Sequence, residues 1–129
     1  MFMFEDWQCR MGATLWEDLD GYIANSPLLF ADKIHTPVLI FHCDQDEAVS
    51  FYDGRNLFLA LRRLQRPVWM LNYMGQGHFL TSRPAEVDWT IRLQQFFDHY
   101  LKDIPMPRWM KEGININERG MDQKYDLVR

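Results

Sequence analysis

Two short polar loops carry the residue types that proton-transfer chemistry requires. The first loop reads His42-Cys43-Asp44-Gln45-Asp46-Glu47-Ala48-Val49, and the second reads Gly75-Gln76-Gly77-His78. An imidazole can accept the proton of a serine nucleophile and return it to the leaving group, while a carboxylate orients the ring and stabilises the imidazolium. Glycine before the histidine favours a tight turn that brings the ring back over the end of the preceding strand. This combination predicts a general base with an orienting acid.

The elements between these loops must bring them together. Residues 37–42 and 68–73 are continuously apolar runs, which are typical of strands covered on both faces of a parallel sheet. Apolar residues at helical spacing predict helices over residues 51–64 and 86–101, and a weaker pattern predicts a short helix within residues 13–22. Strand, loop and helix, repeated twice, form the pattern of a parallel α/β unit.

Each polar loop follows a strand, so both loops should open on the same edge of the sheet, where the catalytic groups of open α/β sheets gather. A carboxylate after one strand and a histidine after the next match the second half of a serine–aspartate–histidine triad in α/β-hydrolase order. From the residues alone, plainer interpretations stay open. A loop histidine is more often a surface or core residue, and an aspartate-rich loop is more often a solvated turn.

The first loop also permits a metal-site interpretation. His42, Asp44 and Asp46 alternate at the end of a strand, and three nitrogen or oxygen ligands with an open position suit a hydrolytic zinc ion. In the plainer interpretation, His42 ends the strand inside the domain and Asp44 faces water. A metal-dependent hydrolase is therefore an alternative at this point.

The composition is that of an ordinary globular domain with many large rings. The 129 residues are 47% hydrophobic and 25% charged, with five Trp and nine Phe. Rings in such number need partners, so some should face another chain or a domain outside this one. The net charge of −4 and the scattered Lys and Arg argue against nucleic-acid binding, and no apolar run reaches the length of a transmembrane helix. Cys9 and Cys43 are too few and too far apart for a disulfide framework or a zinc motif.

The two loops resemble sequence patterns of the prolyl oligopeptidase family of serine peptidases. The family pattern His-Gly-x-x-Asp-x-x-Val corresponds to residues 42–49, with Cys43 in place of the glycine. That correspondence selects Asp46, not Asp44, as the triad acid. The second pattern, a Tyr, a short glycine-containing turn and a His, corresponds to residues 73–78.

This resemblance extends over residues 9–120 and covers the C-terminal part of the family's catalytic domain. It implies His78 as general base and Asp46 as its orienting acid. The implied reaction is hydrolysis of a peptide bond through an acyl-enzyme, with no metal or organic cofactor. Further stretches with the same likeness are residues 22–27, 60–64 and 92–102.

The chain departs from this family at the nucleophile. The family's Gly-x-Ser-x-Gly elbow is absent, and the oxyanion donor that follows its serine is absent with it. Cys43 adds bulk at the acid loop, and Phe79 follows the histidine where a small residue is common. We therefore expect the isolated chain to be catalytically inert. The serines of the chain are Ser26, Ser50 and Ser82, in the contexts Asn-Ser-Pro, Val-Ser-Phe and Thr-Ser-Arg.

Together these features predict the C-terminal portion of an α/β-hydrolase fold, with parallel strands and flanking helices. Residues 1–104 are expected to form a partial peptidase domain, and the polar residues 105–129 a tail along the surface. A peptide substrate is implied for the intact enzyme, with neither nucleic acid nor membrane as a partner. The alternative is a non-catalytic half-domain, whose exposed core and unpaired strand edge favour self-association or contact with a missing N-terminal part.

Overall fold

A two-stranded parallel sheet lies at the centre of the computed structural model, which describes residues 2–128. Strands β1 (Val38–Cys43) and β2 (Val68–Tyr73) pair in register, with Cys43 opposite Tyr73 at their carboxyl ends. The helices are α1 (Phe2–Glu5), α2 (Leu19–Ala24), α3 (Phe51–Arg63), α4 (Arg83–Lys102) and α5 (Arg108–Glu112), with 3₁₀ turns at Pro27–Lys33 and Ile116–Glu118.

The sheet is covered by helices on both faces. One face packs around Leu61 of α3, which is fully buried, and the other packs around Phe96 of α4 with Trp109 and Met110 of α5. Alternate strand residues point into the core on one side of the sheet and on the other. Both faces of each strand are therefore mostly apolar, which explains the apolar runs in the sequence. The predicted parallel α/β arrangement is confirmed. The strand residues are Val38, Ile40 and Val68 on the first side, and Leu39, Trp69 and Leu71 on the second.

The two long helices begin and end close to the predicted bounds. Helix α3 starts after Ser50, whose hydroxyl accepts the N–H of Tyr52 at 3.3 Å, and it ends before Gln65, which has a left-handed φ of 57°. Helix α4 carries Pro84 in its first turn, where a missing N–H costs nothing, and it ends at the left-handed Asp103. Local capping and breaking residues therefore set the lengths of both helices.

The predicted helix within residues 13–22 is wrong in its position, because α2 begins only after Asp18. The Asp18 carboxylate accepts the N–H of Gly21 at 3.0 Å and caps the helix there. Upstream, the N–H and the hydroxyl of Thr14 donate to the Glu17 carboxylate at 2.9 and 2.7 Å. These local side-chain bonds hold residues 14–17 in a turn that competes with a helix.

Residues 105–128 are packed more closely than the expected surface tail. Trp109 and Met110 are 3% and 6% exposed, and a β-bridge between Pro107 and Leu127 folds the segment back on itself. A few buried apolar residues anchor this mostly polar segment. The prediction of a surface tail rested on the polarity of the segment as a whole, which does not reveal these few residues. The boundary between domain and tail at residue 104 stays a prediction.

Several large apolar side chains stay on the surface. Trp16 is 79% exposed and Leu29 is 59% exposed. Leu29 also lines an apolar groove between the 3₁₀ turn at Pro27–Lys33 and α3. Within residues 2–128, no helix has both the length and the hydrophobicity needed to cross a membrane.

Candidate active site

Asp46 and His78 meet at the carboxyl edge of the sheet. Nδ1 of His78 lies 3.0 Å from Oδ2 and 3.1 Å from Oδ1 of Asp46. Because Cys43 and Tyr73 end their strands side by side, the loops that follow begin at adjacent points. The structure thus brings together the two residues predicted as acid and base.

The carboxylate of Asp46 is held by its own loop. Its Oδ1 accepts the N–H groups of Ala48 and Val49, both at 2.9 Å, and the side chain is 8% exposed. The Val49 hydrogen bond lowers the pKa of Asp46; burial opposes this shift, while His78 and the Ala48 N–H reinforce it. Asp46 is therefore ionised at neutral pH, the state in which a carboxylate orients an imidazole and stabilises its cation.

Asp44, the other aspartate of the loop, fastens the two loops together. Its Oδ1 accepts the N–H of Gly75 at 2.6 Å, and the N–H of Gln45 donates to the carbonyl of Gln76 at 3.1 Å. Gly75 has a φ of 73°, a left-handed conformation that glycine adopts without steric cost. These two bonds hold the histidine loop against the acid loop.

The side chains of the metal-site alternative do not converge. Asp44 is engaged with Gly75, whereas Nε2 of His42 lies 3.2 Å from the Val49 carbonyl and 3.7 Å from Oδ2 of Asp46. Among residues 2–128, no cluster of three or more His, Cys, Asp or Glu side chains has an arrangement suited to a metal ion. His42 and Asp46 thus approach each other, whereas Asp44 is engaged with the opposite loop.

His42 is a buried residue that contacts the backbone of the acid loop. The ring is 9% exposed and packs edge-on against Phe51, with centroids 5.6 Å apart. A Cβ at Gly54 would lie 2.8 Å from the His42 Nδ1, so glycine at that position makes room for the imidazole. Because the Val49 carbonyl can only accept, its contact with His42 requires the proton on Nε2. His42 therefore steadies the residue whose N–H binds Asp46.

The departures from the family pattern differ in their effect on this site. Cys43 is 1% exposed, and burial raises the pKa of its thiol, to which the neighbouring aspartates add. Cys43 and Cys9 are both free thiols. Phe79 is 74% exposed, and its ring stands edge-on to the His78 imidazole with centroids 4.8 Å apart. Cys43 thus fills interior space, whereas Phe79 contacts the predicted base directly.

Gln76 organises the rest of the histidine loop, a role not identified from the sequence. Its Oε1 accepts the N–H of Thr81 at 2.9 Å and the N–H of Ser82 at 3.1 Å, and it accepts the Thr81 hydroxyl at 3.3 Å. These bonds close the loop immediately before α4. A glutamine between two glycines carries no recognisable pattern for this role, because its partners lie five and six residues further on.

Asp88, behind the histidine loop, was also not identified from the sequence. It accepts the hydroxyls of Tyr73 and Tyr125 at 2.6 and 2.5 Å, and two N–H groups of Arg92 at 2.8 and 2.9 Å. Burial raises the pKa of Asp88, but the hydrogen bonds from Arg92, Tyr125 and Tyr73 outweigh burial and lower it overall. The spacing of Asp88 and Arg92, four residues apart on a helix, is the one sequence feature that indicates an ion pair here.

No serine lies against the predicted base in the part of the chain that the structure describes. Among residues 2–128, the His78 side chain has hydrogen bonds to Asp46 alone. The Ser26 hydroxyl donates to the Tyr22 carbonyl, while Ser50 caps α3 and Ser82 precedes α4. Residues 2–128 therefore contain the paired Asp46 and His78 without a serine beside them.

Comparison with known proteins places this pair in a family context. The model of the prolyl oligopeptidase family matches residues 1–103. The chain is 32% identical over 103 residues to dipeptidyl-peptidase 5 of Porphyromonas endodontalis, which covers 77% of this chain and 15% of that protein. It is 26% identical over 103 residues to the uncharacterized peptidase YuxL of Bacillus subtilis, covering 78% of this chain and 15% of that protein. It is 30% identical over 80 residues to the acylamino-acid-releasing enzyme of Rattus norvegicus, covering 62% of this chain and 10% of that enzyme.

The matched region includes both strands, both polar loops and α4. The match covers only 15% of the length of each of the first two relatives. The small parallel sheet with helices on both faces agrees with the α/β-hydrolase fold of the family. On this evidence, the chain belongs to the prolyl oligopeptidase family.

Proposed function

We propose that this chain supplies His78 as general base and Asp46 as its orienting acid to a serine-type peptidase whose nucleophile lies outside these 129 residues. The observation that carries the proposal is the 3.0 Å contact between Nδ1 of His78 and the ionised Asp46. Since the carboxylate accepts from Nδ1, Nε2 is the nitrogen left to exchange a proton with a serine hydroxyl. Family membership and the peptidase names of the relatives support the reaction class.

The proposed chemistry divides into two proton transfers at Nε2 of His78. In the first, Nε2 takes the serine proton as the serine oxygen attacks the carbonyl carbon of the peptide bond. Nε2 then gives this proton to the departing amine, which leaves an acyl-enzyme that water hydrolyses by the same steps. Asp46 stays ionised throughout and stabilises the imidazolium. One oxyanion donor is the N–H after the nucleophile, so it belongs outside this chain with the serine.

A base and an acid without a nucleophile should not react with serine-directed reagents. We expect a fluorophosphonate probe to leave the 129-residue chain unlabelled. The same probe should label a longer polypeptide that carries the Gly-x-Ser-x-Gly elbow, and replacement of the elbow serine by alanine should abolish that labelling. In-gel fluorescence and intact mass spectrometry measure both. Stoichiometric labelling of Ser26, Ser50 or Ser82 in the short chain would contradict the proposal.

A second candidate, self-association without catalysis, is supported by the exposed apolar surface. Each strand of the two-stranded sheet has one edge without a partner strand in the described part of the chain. The groove beside α3 adds an apolar surface that is larger than a single exposed side chain. The groove residues are Leu28, Leu29, Ala31, Leu59, Ala60 and Leu64, with Asp32 and Arg63.

Self-association should depend on this groove. We expect the chain, 15.5 kDa as a monomer, to form dimers or larger species at increasing concentration in light scattering. Leu59→Glu should shift the mass toward the monomer because it places a charge in the groove. Leu101→Glu is the matched control, since Leu101 is 73% exposed on a different helix. A concentration-independent monomer would eliminate this candidate.

A further inference from the structure

We infer that Tyr125, which lies beyond the family-matched residues, positions the loop of His78 by holding the partly buried carboxylate of Asp88. This inference rests on the proposed function of His78. Tyr73 connects the two parts, because it ends β2 immediately before the histidine loop and its hydroxyl donates to Asp88 at 2.6 Å. Tyr125 donates to the same carboxylate from the C-terminal segment at 2.5 Å.

Both oxygens of Asp88 are fully used. Oδ2 accepts Tyr73 and Nε of Arg92, while Oδ1 accepts Tyr125 and Nη2 of Arg92. A carboxylate has about four acceptor positions, so four donors fix its orientation. Loss of the Tyr125 hydroxyl removes one of the four restraints and leaves Oδ1 with Arg92 as its one remaining donor, so the carboxylate to which Tyr73 donates is held less tightly.

Tyr125 also covers the partner of this carboxylate. Arg92 is 2% exposed, and its guanidinium carbon lies 5.1 Å from the centroid of the Tyr125 ring and 5.3 Å from that of Trp109. Nη1 of Arg92 has no hydrogen-bond partner among the described residues, so these ring contacts are part of its compensation. A buried cation of this kind depends strongly on its paired carboxylate.

The position of Tyr125 is itself fixed by α4. Gln95 donates its side-chain amide to the Tyr125 carbonyl at 2.6 Å and accepts the indole N–H of Trp109 at 2.8 Å. The neighbouring Gln123 accepts from Nη2 of Arg92 through both its carbonyl and its side chain. Hydrogen bonds to its own carbonyl and to Gln123 therefore tie the backbone around Tyr125 to α4.

The His78 side chain is 45% exposed and has Asp46 as its one hydrogen-bonding partner among residues 2–128. Its position therefore depends on the backbone of its loop. The orientation of its ring thus depends on where the loop backbone starts. Pairing with Cys43 sets that start for the backbone, and the bond from the Tyr73 hydroxyl to Asp88 adds a restraint on the same residue. Through this bond we expect the Tyr125 hydroxyl to act on the contact between Nδ1 and Asp46. Tyr125 is a positioning residue in this scheme and does not touch the reacting atoms.

The test is the tautomer of His78 in the full 129-residue chain, read from imidazole ¹⁵N shifts by NMR with the ring neutral. In the unmodified chain, Asp46 should hold the proton on Nδ1. Tyr125→Phe keeps the ring over Arg92 and removes only the hydroxyl, and we expect it to lower the ratio of Nδ1–H to Nε2–H tautomers at least about threefold. An unchanged ratio would overturn the inference.

Two controls separate positioning from a general loss of stability. Tyr100→Phe removes the hydroxyl of another half-buried tyrosine, which makes no hydrogen bond in the described part of the chain, and should leave the ratio unchanged. Leu57→Ala weakens the core on the α3 side without touching Asp88, so it should lower the free energy of unfolding and leave the ratio unchanged. If Leu57→Ala shifted the ratio as much as Tyr125→Phe, a specific positioning role would be ruled out.

Asp46→Asn distinguishes failure of this inference from failure of the proposed function. It should invert the tautomer ratio, because an amide in place of the carboxylate favours the wrong tautomer. If Asp46→Asn leaves the ratio unchanged, the acid–base pair itself is wrong, and with it the proposed function. If Asp46→Asn inverts the ratio and Tyr125→Phe does not move it, only the role of Tyr125 is wrong.

Discussion

Replacement of His78 by alanine in the complete enzyme is expected to lower kcat by roughly 10⁴- to 10⁶-fold, because no other group can then take the serine proton. Hydrolysis of a chromogenic peptide measures the loss. KM should change little, since the imidazole contributes to proton transfer more than to substrate binding.

His35→Ala is the matched control for this variant. His35 is exposed, and no hydrogen bond or ion pair connects it to the loops. Its replacement should leave kcat and KM unchanged, and unfolding curves should show that both variants are folded. A fall of less than about tenfold for His78→Ala would remove His78 from the role of general base, given the size of the losses that triad histidines produce.

Replacement of Asp46 by asparagine should lower kcat by about 10⁴-fold at neutral pH, because the amide neither stabilises the imidazolium nor holds the proton on Nδ1. The Val49 hydrogen bond lowers the pKa of Asp46, so its carboxylate is already ionised at neutral pH and the loss should be fully present there. The pH–rate profile of both proteins measures it.

Asp44→Asn is the control that decides which aspartate is the acid. The asparagine oxygen can still accept the N–H of Gly75, so the two loops should stay joined and kcat should fall by less than about tenfold. Equal losses in Asp44→Asn and Asp46→Asn would mean that the carboxylates act on loop structure alone. A larger loss in Asp44→Asn would exchange the assignment.

The arrangement of strands and helices could be predicted from the sequence because a buried face requires apolar residues at a spacing that is visible within a few positions. Residues 68–71 are apolar throughout, since helices cover both faces of the sheet there. The short helix predicted within residues 13–22 lies further along the chain, at Leu19–Ala24, because a side-chain turn at Thr14 and Glu17 outweighs a weak helical pattern. Helix propensity is a weak guide where one or two side-chain hydrogen bonds can favour a turn over a helix.

The choice of Asp46 and His78 came from the family-like patterns around them, since an isolated loop histidine and an aspartate-rich turn have plainer explanations. Their contact follows from topology, because two parallel strands that end in register start their loops side by side. The different duties of Asp44 and Asp46 are visible only in three dimensions. One carboxylate binds the opposite loop, and the other binds its own loop and the histidine.

The sequence by itself determined the parallel α/β core and the two loops at its carboxyl edge, because strand burial and turn residues act over a few positions. The tertiary structure alone decided what holds the residue at the end of β2 from which the loop of His78 starts. Tyr73, Asp88 and Tyr125 meet across 52 positions of the chain, and polar residues 105–128 pack on α4 through a few buried side chains. Hydrogen bonds between groups so far apart leave no periodic trace in a sequence, since they depend on distances that only the folded chain sets.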